Sequence, residues 1–462
     1  MSSSKKIIGT LVPLSALWNT QSQTATFEAG ELFLDWLVKT KQNAWQLLPL
    51  HETQLEKGST TKHVPSPYKG YGIGLNPRYL SEEAKAQKPN QEQLRTFLSN
   101  NRAWLADYAL FCTLRDHFGT DDWSKWQDDI KRRNPKLIKT LTTKFRQQIM
   151  HYAMEQWQCH KAFAMLRSEA KKKGILLIGD VPYYIGHNGP LVWTHQDLFQ
   201  LREDGSMPHV SGSLNRPNAY FGRQLWGHPL YHWENTTSRQ AILRLWEMRL
   251  HYSSKLFDII RLDHANGFFL YGSLDSHNPD NDEKKPGPGF ETFKKIIQCC
   301  QTVGLRVYAE DAAVELKELR NALARLHVGG VRILRFALNE KRNVTNPDYA
   351  YPSTYPVSSC AYTSLHDTQP LMGYLAILTA EQKQALARAA DVMYSPNDRE
   401  LAVYLRKAVV TSPSQTVIIP IQDWLLTTDR INTPGTEKEQ DDPNWSYRLS
   451  IPVEQLPIFA GT

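Results

Sequence analysis

Three carboxylic acids stand at the ends of short runs whose apolar, β-rich composition is typical of buried strands. Asp263, Glu310 and Asp367 each close such a run. A buried strand has little reason to carry acids unless it ends at a site. In a parallel barrel or a doubly wound sheet, sites lie where the strands leave the core at their carboxyl ends. We therefore expect the three side chains to converge on one cavity.

Carboxylates grouped in this way suit acid, base or nucleophile chemistry on an uncharged substrate. A pair of carboxylates flanking a glycosidic bond is the usual arrangement for breaking that bond. The alternative interpretation is that each acid caps the helix following its strand, because Asp, Asn and Ser are favoured at that position. For any one acid the two interpretations are evenly balanced, and the repetition favours a site.

Eight runs in the sequence have the composition of buried strands. They begin near residues 7, 44, 174, 257, 304, 331, 358 and 416. Strands that alternate with helices indicate a parallel sheet, and eight of them close a barrel. We predict an α/β fold, a (β/α)8 TIM barrel in a single catalytic domain over 1–462, with an inserted helical subdomain and long loops over the C-terminal face.

Two long segments interrupt the strand and helix rhythm. Residues 81–173 are helical and polar and are predicted to form the inserted helical subdomain, because the block is too long for one barrel helix. Residues 187–235 have little periodicity and many aromatic side chains, which favours a loop-rich insertion over the active site. Aromatic faces pack against sugar rings, but they also fill cores. The Tyr-rich loop around 66–77 is either a ring-contacting loop or a surface loop.

The composition excludes several other classes of protein. A net charge of +7 is scattered along the chain, which is typical of solvated helix faces and not of a nucleic-acid footprint. No apolar run approaches the ~20 residues of a membrane span, and the start lacks the apolar core of a secretory signal. Five cysteines without repeated CxxC spacing give neither a disulfide framework nor a zinc pattern. We expect a cytoplasmic protein without nucleic-acid or membrane partners.

Nine short motifs follow one another in a fixed order between Ile7 and Leu449. They are WQLLPL (45–50), SPY (66–68), GDVP (179–182), QLWGHPLY (224–231), RLDH (261–264), GPG (287–289), AED (309–311), HD (366–367) and NTPGT (432–436) followed by NW (444–445). In this order they resemble the 4-α-glucanotransferases (amylomaltase or disproportionating enzyme, glycoside hydrolase family 77). The resemblance implies a retaining transferase of α-1,4-glucans and maltooligosaccharides that uses no metal or other cofactor.

The same resemblance implies a role for each matching residue. Asp263 corresponds to the nucleophile, Glu310 to the general acid/base, and Asp367 to the third carboxylate, which holds hydroxyls of the distorted sugar. The other positions that match substrate contacts are Tyr68, Asp180, Gln224, Trp226, Arg261, His264, His366 and Asn432. A retaining pair of carboxylates is ~5–5.5 Å apart. Arg261 lies two residues before Asp263 on one strand face, where it favours the ionised carboxylate.

The sequence also departs from the family pattern at three loops. Residues 214–223 differ from the usual acceptor loop, the SPY motif continues KGYG, and TSLHD (363–367) replaces Thr-Gly-Thr-His-Asp. Two alternatives therefore stay open beside the transferase. One is an α-glucan hydrolase with the same carboxylates, and the other is a catalytically weak glucan-binding or regulatory protein. The presence of all three carboxylates favours an active enzyme.

Overall fold

The computed structural model describes residues 5–214, 222–312, 317–339, 344–436 and 443–459. Its strands are β1 (Ile7–Leu11), β2 (Ala44–Gln46), β3 (Leu176–Val181), β4 (Val210–Ser213), β5 (Gln224–Leu225), β6 (Ile259–Leu262), β7 (Leu270–Leu274), β8 (Glu283–Pro286), β9 (Arg306–Ala309), β10 (Val331–Ile333), β11 (Leu338–Asn339), β12 (Val344–Thr345), β13 (Cys360–Tyr362) and β14 (Thr416–Pro420). Its helices are α1 (Phe27–Lys39), α2 (Glu82–Ala86), α3 (Gln91–Asn100), α4 (Leu105–Phe118), α5 (Asp128–Lys131), α6 (Pro135–Lys144), α7 (Arg146–Lys172), α8 (Pro190–Thr194), α9 (Thr236–Ser254), α10 (Phe290–Thr302), α11 (Lys317–Leu326), α12 (Pro347–Ala350), α13 (Leu371–Ile377), α14 (Ala380–Ala389), α15 (Asp398–Thr411) and α16 (Ile421–Leu425).

Eight of these strands form one parallel sheet whose order in space follows their order in the chain. The sequence of neighbours is β1, β2, β3, β6, β9, β10, β13 and β14, and β14 pairs with β1 again. A parallel bridge between Tyr308 and Gly329 closes the gap between β9 and β10. The predicted (β/α)8 barrel is therefore confirmed, with all eight strands close to their predicted positions.

Both faces of the barrel strands are buried, which explains why the strands are continuous apolar runs. Ile259 and Ile418 belong to the cluster inside the barrel. Their neighbours Ile260 and Ile419 belong to the cluster between the strands and the surrounding helices. This alternation follows from the two-residue period of a strand.

Helices α2 to α7 lie between β2 and β3 in the chain, after the long loop that follows β2. Ala153 and Trp157 of α7, one helical turn apart, are buried. After α7, Gly174 adopts the left-handed conformation with φ of 68°, as expected for a helix C-terminus. Tyr108 and Phe163, from α4 and α7, share the main core with the barrel residue Trp45. No helix in the described part of the chain is both long and apolar enough to cross a membrane.

Polar segments around the barrel mouth form a second, four-stranded antiparallel sheet. Its order is β5, β4, β7 and β8. These strands were not predicted, because they are short and contain polar and glycine residues. Gly212 and Gly272 face each other across β4 and β7, where a Cβ atom on Gly272 would lie 2.3 Å from the Gly212 carbonyl oxygen. The segment 187–235 is thus only partly a loop, since it also contains α8.

Candidate active site

The three predicted carboxylates lie at the carboxyl ends of barrel strands and face one cavity. Asp263 follows β6 directly and Glu310 follows β9 directly, while Asp367 lies five residues after β13. The cavity has a volume of about 290 Å³ and is lined by all three. The remaining predicted site residues that line it are Tyr68, Gln224, Trp226, His264 and Asn432.

Arg261 lies under the cavity floor and connects the acids. Its Nη1 donates to Asp180 Oδ2 at 2.6 Å and to Asp263 Oδ1 at 2.9 Å. Its Nη2 lies 3.0 Å from Glu310 Oε2. The side chain is only 2% exposed, so these contacts form in a poorly hydrated environment. One guanidinium thus fixes the relative positions of Asp263 and Glu310.

The single positive charge of Arg261 lies beside three carboxyl groups. Burial raises the pKa of Asp263 well above its usual value; Arg261 opposes this effect, while Glu310 and Asp180 reinforce it. Burial raises the pKa of Asp180 in the same way. Arg261 therefore acts on Asp263 as the sequence predicted, but burial among other carboxylates is the larger effect. Full ionisation of the cluster is disfavoured, and the cluster tends to retain a proton.

Asp367 has a different environment from Asp263. His366 Nε2 lies 3.2 Å from Asp367 Oδ2, and Asn432 Nδ2 donates to Asp367 Oδ1 at 2.6 Å. Burial alone would raise its pKa, but His366 and the hydrogen bonds outweigh burial and lower the pKa of Asp367 to about 2. Asp367 is therefore an anion at neutral pH.

Tyr68 reaches the floor of the cavity from the long loop after β2. Its hydroxyl donates to Asp180 Oδ2 at 2.9 Å and lies 3.0 Å from His366 Nε2. Its ring stacks on that of His366, with the centroids 5.5 Å apart. Asp180 and His366 do not line the cavity themselves. Tyr68 lines it and contacts both of these buried residues through its hydroxyl.

His264 adopts the left-handed conformation, with φ of 45°, which few residues other than glycine tolerate. This backbone turns its N–H toward Glu310 Oε2, to which it donates at 2.7 Å. The imidazole ring packs against Trp226, at a centroid distance of 4.7 Å, and stacks on Tyr184. The RLDH motif therefore positions both proposed reacting groups.

Gln224 and Trp226 also line the cavity. Trp226 Nε1 donates to Gln224 Oε1 at 2.9 Å. Just before them, Arg223 makes a two-pronged ion pair with Asp282, at 2.6 and 2.9 Å. Of the altered loop 214–223, residues 215–221 lie outside the described residues. The effect of that loop on the acceptor therefore stays a prediction.

Several cavity residues were not predicted from the sequence. They include Lys69, Tyr184, His228 and Trp445. Trp445 has φ of 64°, a strained conformation for a bulky side chain, and its ring lies 5.5 Å from that of Tyr68. His228 and Trp445 belong to quoted motifs, which was the only signal available. Within the described ranges, no group of three or more His, Cys, Asp or Glu side chains is arranged to hold a metal ion.

Comparison with known proteins points to one family. The profile of a family described as 4-alpha-glucanotransferase matches residues 74–453. The chain is 28% identical over 466 residues to the 4-alpha-glucanotransferase of Aquifex aeolicus, with 92% of each chain covered. It is 30% identical over 393 residues to that of Thermus thermophilus, with 83% of this chain and 75% of the other covered.

Solved structures show the same fold. Amylomaltase from Streptococcus agalactiae in complex with acarbose superimposes with a TM-score of 0.82 at 24% identity, covering 96% of this chain and 95% of the other. Amylomaltase from Corynebacterium glutamicum gives a TM-score of 0.75 at 16% identity, covering 97% and 73%. On the extent of the profile match and of the alignments, the chain belongs to the 4-alpha-glucanotransferase family.

Proposed function

We propose that this protein transfers α-1,4-glucan segments between maltooligosaccharides by a retaining double displacement. The observation that carries the proposal is that Asp263 and Glu310 contact one guanidinium and that Asp367 lines the same cavity. The family membership supports the same reaction. A cytoplasmic location is part of the proposal.

The free oxygens of the two reacting carboxylates suggest their roles. Among the described residues, Asp263 Oδ2 accepts no hydrogen bond, while Oδ1 is held by Arg261. Oδ2 is therefore the atom proposed to attack the anomeric carbon. Glu310 Oε2 accepts from His264 N and lies beside Arg261, so the transferable proton belongs on Oε1.

The reaction then proceeds in two displacements. Asp263 forms an ester bond to the anomeric carbon as the bond to the leaving 4-oxygen breaks, and that oxygen takes the proton from Glu310. The 4-hydroxyl of a second glucan next attacks the same carbon and gives its proton to Glu310. The ester bond to Asp263 breaks, and the two inversions restore an α-1,4 linkage.

Buried polar atoms around the cavity supply partners for the sugar hydroxyls. Two residues that line the cavity have a buried polar atom without a hydrogen-bond partner among the described residues, His264 at Nε2 and Asn432 at Oδ1. Buried polar groups are normally paired, so a bound sugar that satisfies them would be held tightly. Asp367, as an anion, is placed to stabilise the positive charge that develops on the sugar ring.

Incubation with maltotriose tests this proposal. Transfer produces a ladder of oligosaccharides longer than maltotriose, seen by chromatography, and Asp263→Asn serves as the inactive control. Glucose and maltose alone would indicate the hydrolase. Binding without any product would indicate the catalytically weak glucan-binding protein.

A further inference from the structure

Asp423 is a fully buried carboxylate that lies behind the proposed active site. It belongs to the short helix α16, directly after β14, and is 0% exposed. Its Oδ2 accepts from Thr363 Oγ1 at 2.5 Å and from Ser364 Oγ at 2.6 Å. Its Oδ1 accepts from the backbone N–H of Leu371 at 2.6 Å.

These three bonds fasten both ends of one segment. Thr363 and Ser364 follow β13, and Leu371 begins α13. Between these points the chain carries His366 and Asp367, which face the cavity floor and wall. The segment gains further support inside the loop, where Thr368 Oγ1 accepts from Leu365 N at 2.9 Å. Asp423 thus holds the loop from the side away from the substrate.

The side chain of Asp423 is held by hydrogen bonds and not by an ion pair. In the described part of the chain, no lysine or arginine side chain lies within ion-pair distance of its carboxylate. The nearby Arg406 donates instead to the backbone carbonyls of Asp423 and Trp424, at 2.8 and 3.2 Å. Burying a carboxylate without an ion-pair partner costs folding free energy. We therefore expect Asp423 to have a function that an apolar residue at this position would not provide.

We propose that Asp423 is a positioning residue, which sets the place of Asp367 by fastening the 363–371 segment at both ends. This inference rests on the proposed function, because it matters only if Asp367 acts in glucan transfer. Ser364 contributes a bond that a glycine at this position would lack. The departure of TSLHD from the usual family pattern therefore strengthens the same clamp.

Kinetics with maltotriose tests the inference. Asp423→Ala leaves three donors without their acceptor and is expected to lower kcat about 100-fold, the scale for a misplaced reacting group. The KM for maltotriose should change by less than about twofold, because Asp367 acts mainly in the transition state. Both parameters are measured well below the unfolding midpoint of the variant, so that only folded protein contributes.

Ser364→Ala and Ser359→Ala form a matched pair that does not depend on Asp423→Ala folding. Ser359 lies at the other end of β13, is also buried, and its hydroxyl bonds to Ser414 Oγ at 2.8 Å. Both variants lose one buried hydroxyl, so both should lose similar stability. Only Ser364→Ala is expected to lower kcat, by about fivefold.

Two results would overturn the inference while leaving the proposed function intact. One is an active wild type with unchanged kcat in folded Asp423→Ala. The other is an equal loss of kcat in Ser364→Ala and Ser359→Ala, which would indicate a structural role only. A wild type that produces nothing from maltotriose would instead contradict the proposed function itself.

Discussion

Arg261 contacts three carboxylates at once, and this arrangement accounts for most of the electrostatics of the cleft. A buried cation with several acidic partners keeps them close together, but it neutralises only one of them. Burial therefore raises the pKa of Asp263, while His366 and Asn432 lower that of Asp367 to about 2. The proposed reacting group Asp263 thus belongs to a cluster that tends to retain a proton, whereas Asp367 is an anion at neutral pH.

Glu310→Gln tests the role of the proposed acid/base. Glutamine keeps the size of the side chain and can still accept from His264 N, but it has no proton of the required acidity. We expect the rate of maltotriose disproportionation to fall at least ~10²-fold, the low end for a positioned acid/base. Glu291→Gln, on the exposed first turn of α10, is the control and should keep the wild-type rate. An unchanged rate in Glu310→Gln would remove Glu310 from the mechanism.

At this scale, the sequence predicted residues better than it predicted their environments. Asp263, Glu310 and Asp367 were identified because acids at the ends of apolar runs are unusual. Tyr184 and Trp445 were not identified as cavity residues, because an aromatic in a loop is compatible with either core or site. Only the left-handed backbone of Trp445 and its contact with Tyr68 distinguish the two, and neither follows from composition.

The loop that carries Tyr68 depends on helix α4 for its position. Glu52, near the start of the loop, accepts from Arg115 Nη1 at 2.6 Å and from Tyr108 OH at 2.6 Å. Leu55 N donates to Asp121 Oδ2 at 2.6 Å. Isolated antiparallel bridges pair Thr53 with Gly70 and Leu55 with His63 within the segment, and the side-chain bonds attach the segment to the helical block. Sequence patterns predict the loop but not these anchors.

Arg115→Met tests this anchoring. The variant removes the cation from beside Glu52, which is 5% exposed, and should lower the free energy of unfolding by about 3–5 kcal/mol in urea titrations. The double variant Glu52→Gln with Arg115→Met removes the charge on both sides and should recover part of that loss.

The control for this pair is the exposed ion pair of Lys85 and Glu82. Its Nζ and Oε1 atoms are 2.8 Å apart, but Lys85 is 49% exposed and Glu82 is 86% exposed. Lys85→Met should therefore cost at most about 1 kcal/mol. If Arg115→Met cost no more than Lys85→Met, the buried pair would not be an anchor.

The four-stranded sheet over 210–286 illustrates what local patterns miss at the scale of elements. Each of its strands has two to five residues. Strands this short give no measurable alternation, and their pairing joins segments far apart in the chain. The barrel strands were predicted because burial on both faces makes each of them a recognisable apolar run.

For the whole molecule, the number of strands and the closed barrel were predicted from the sequence, but the contact that closes the last gap was not. Eight strands form a closed barrel only if backbone pairing also joins the last two neighbours. Here the gap between β9 and β10 is bridged outside a regular strand, by Tyr308 and Gly329. Ala309 N also donates to Gly329 O at 2.9 Å, directly before Glu310. The contact with Gly329 that closes the barrel therefore also positions the backbone next to Glu310, the proposed acid/base.

Gly329→Ala tests whether that contact limits the stability of the barrel. A Cβ atom at this position would lie 1.9 Å from the Ser358 carbonyl oxygen, so the backbone at the closing gap would have to move. We expect a loss of about 3 kcal/mol or more in the free energy of unfolding, together with a lower rate because Glu310 would shift. Gly373→Ala, within helix α13, is the matched control, because the nearest atom to its added Cβ is Gln369 Cβ at 3.6 Å and alanine is the better helix former. Equal unfolding midpoints for the two variants would show that the barrel does not depend on close packing at this gap.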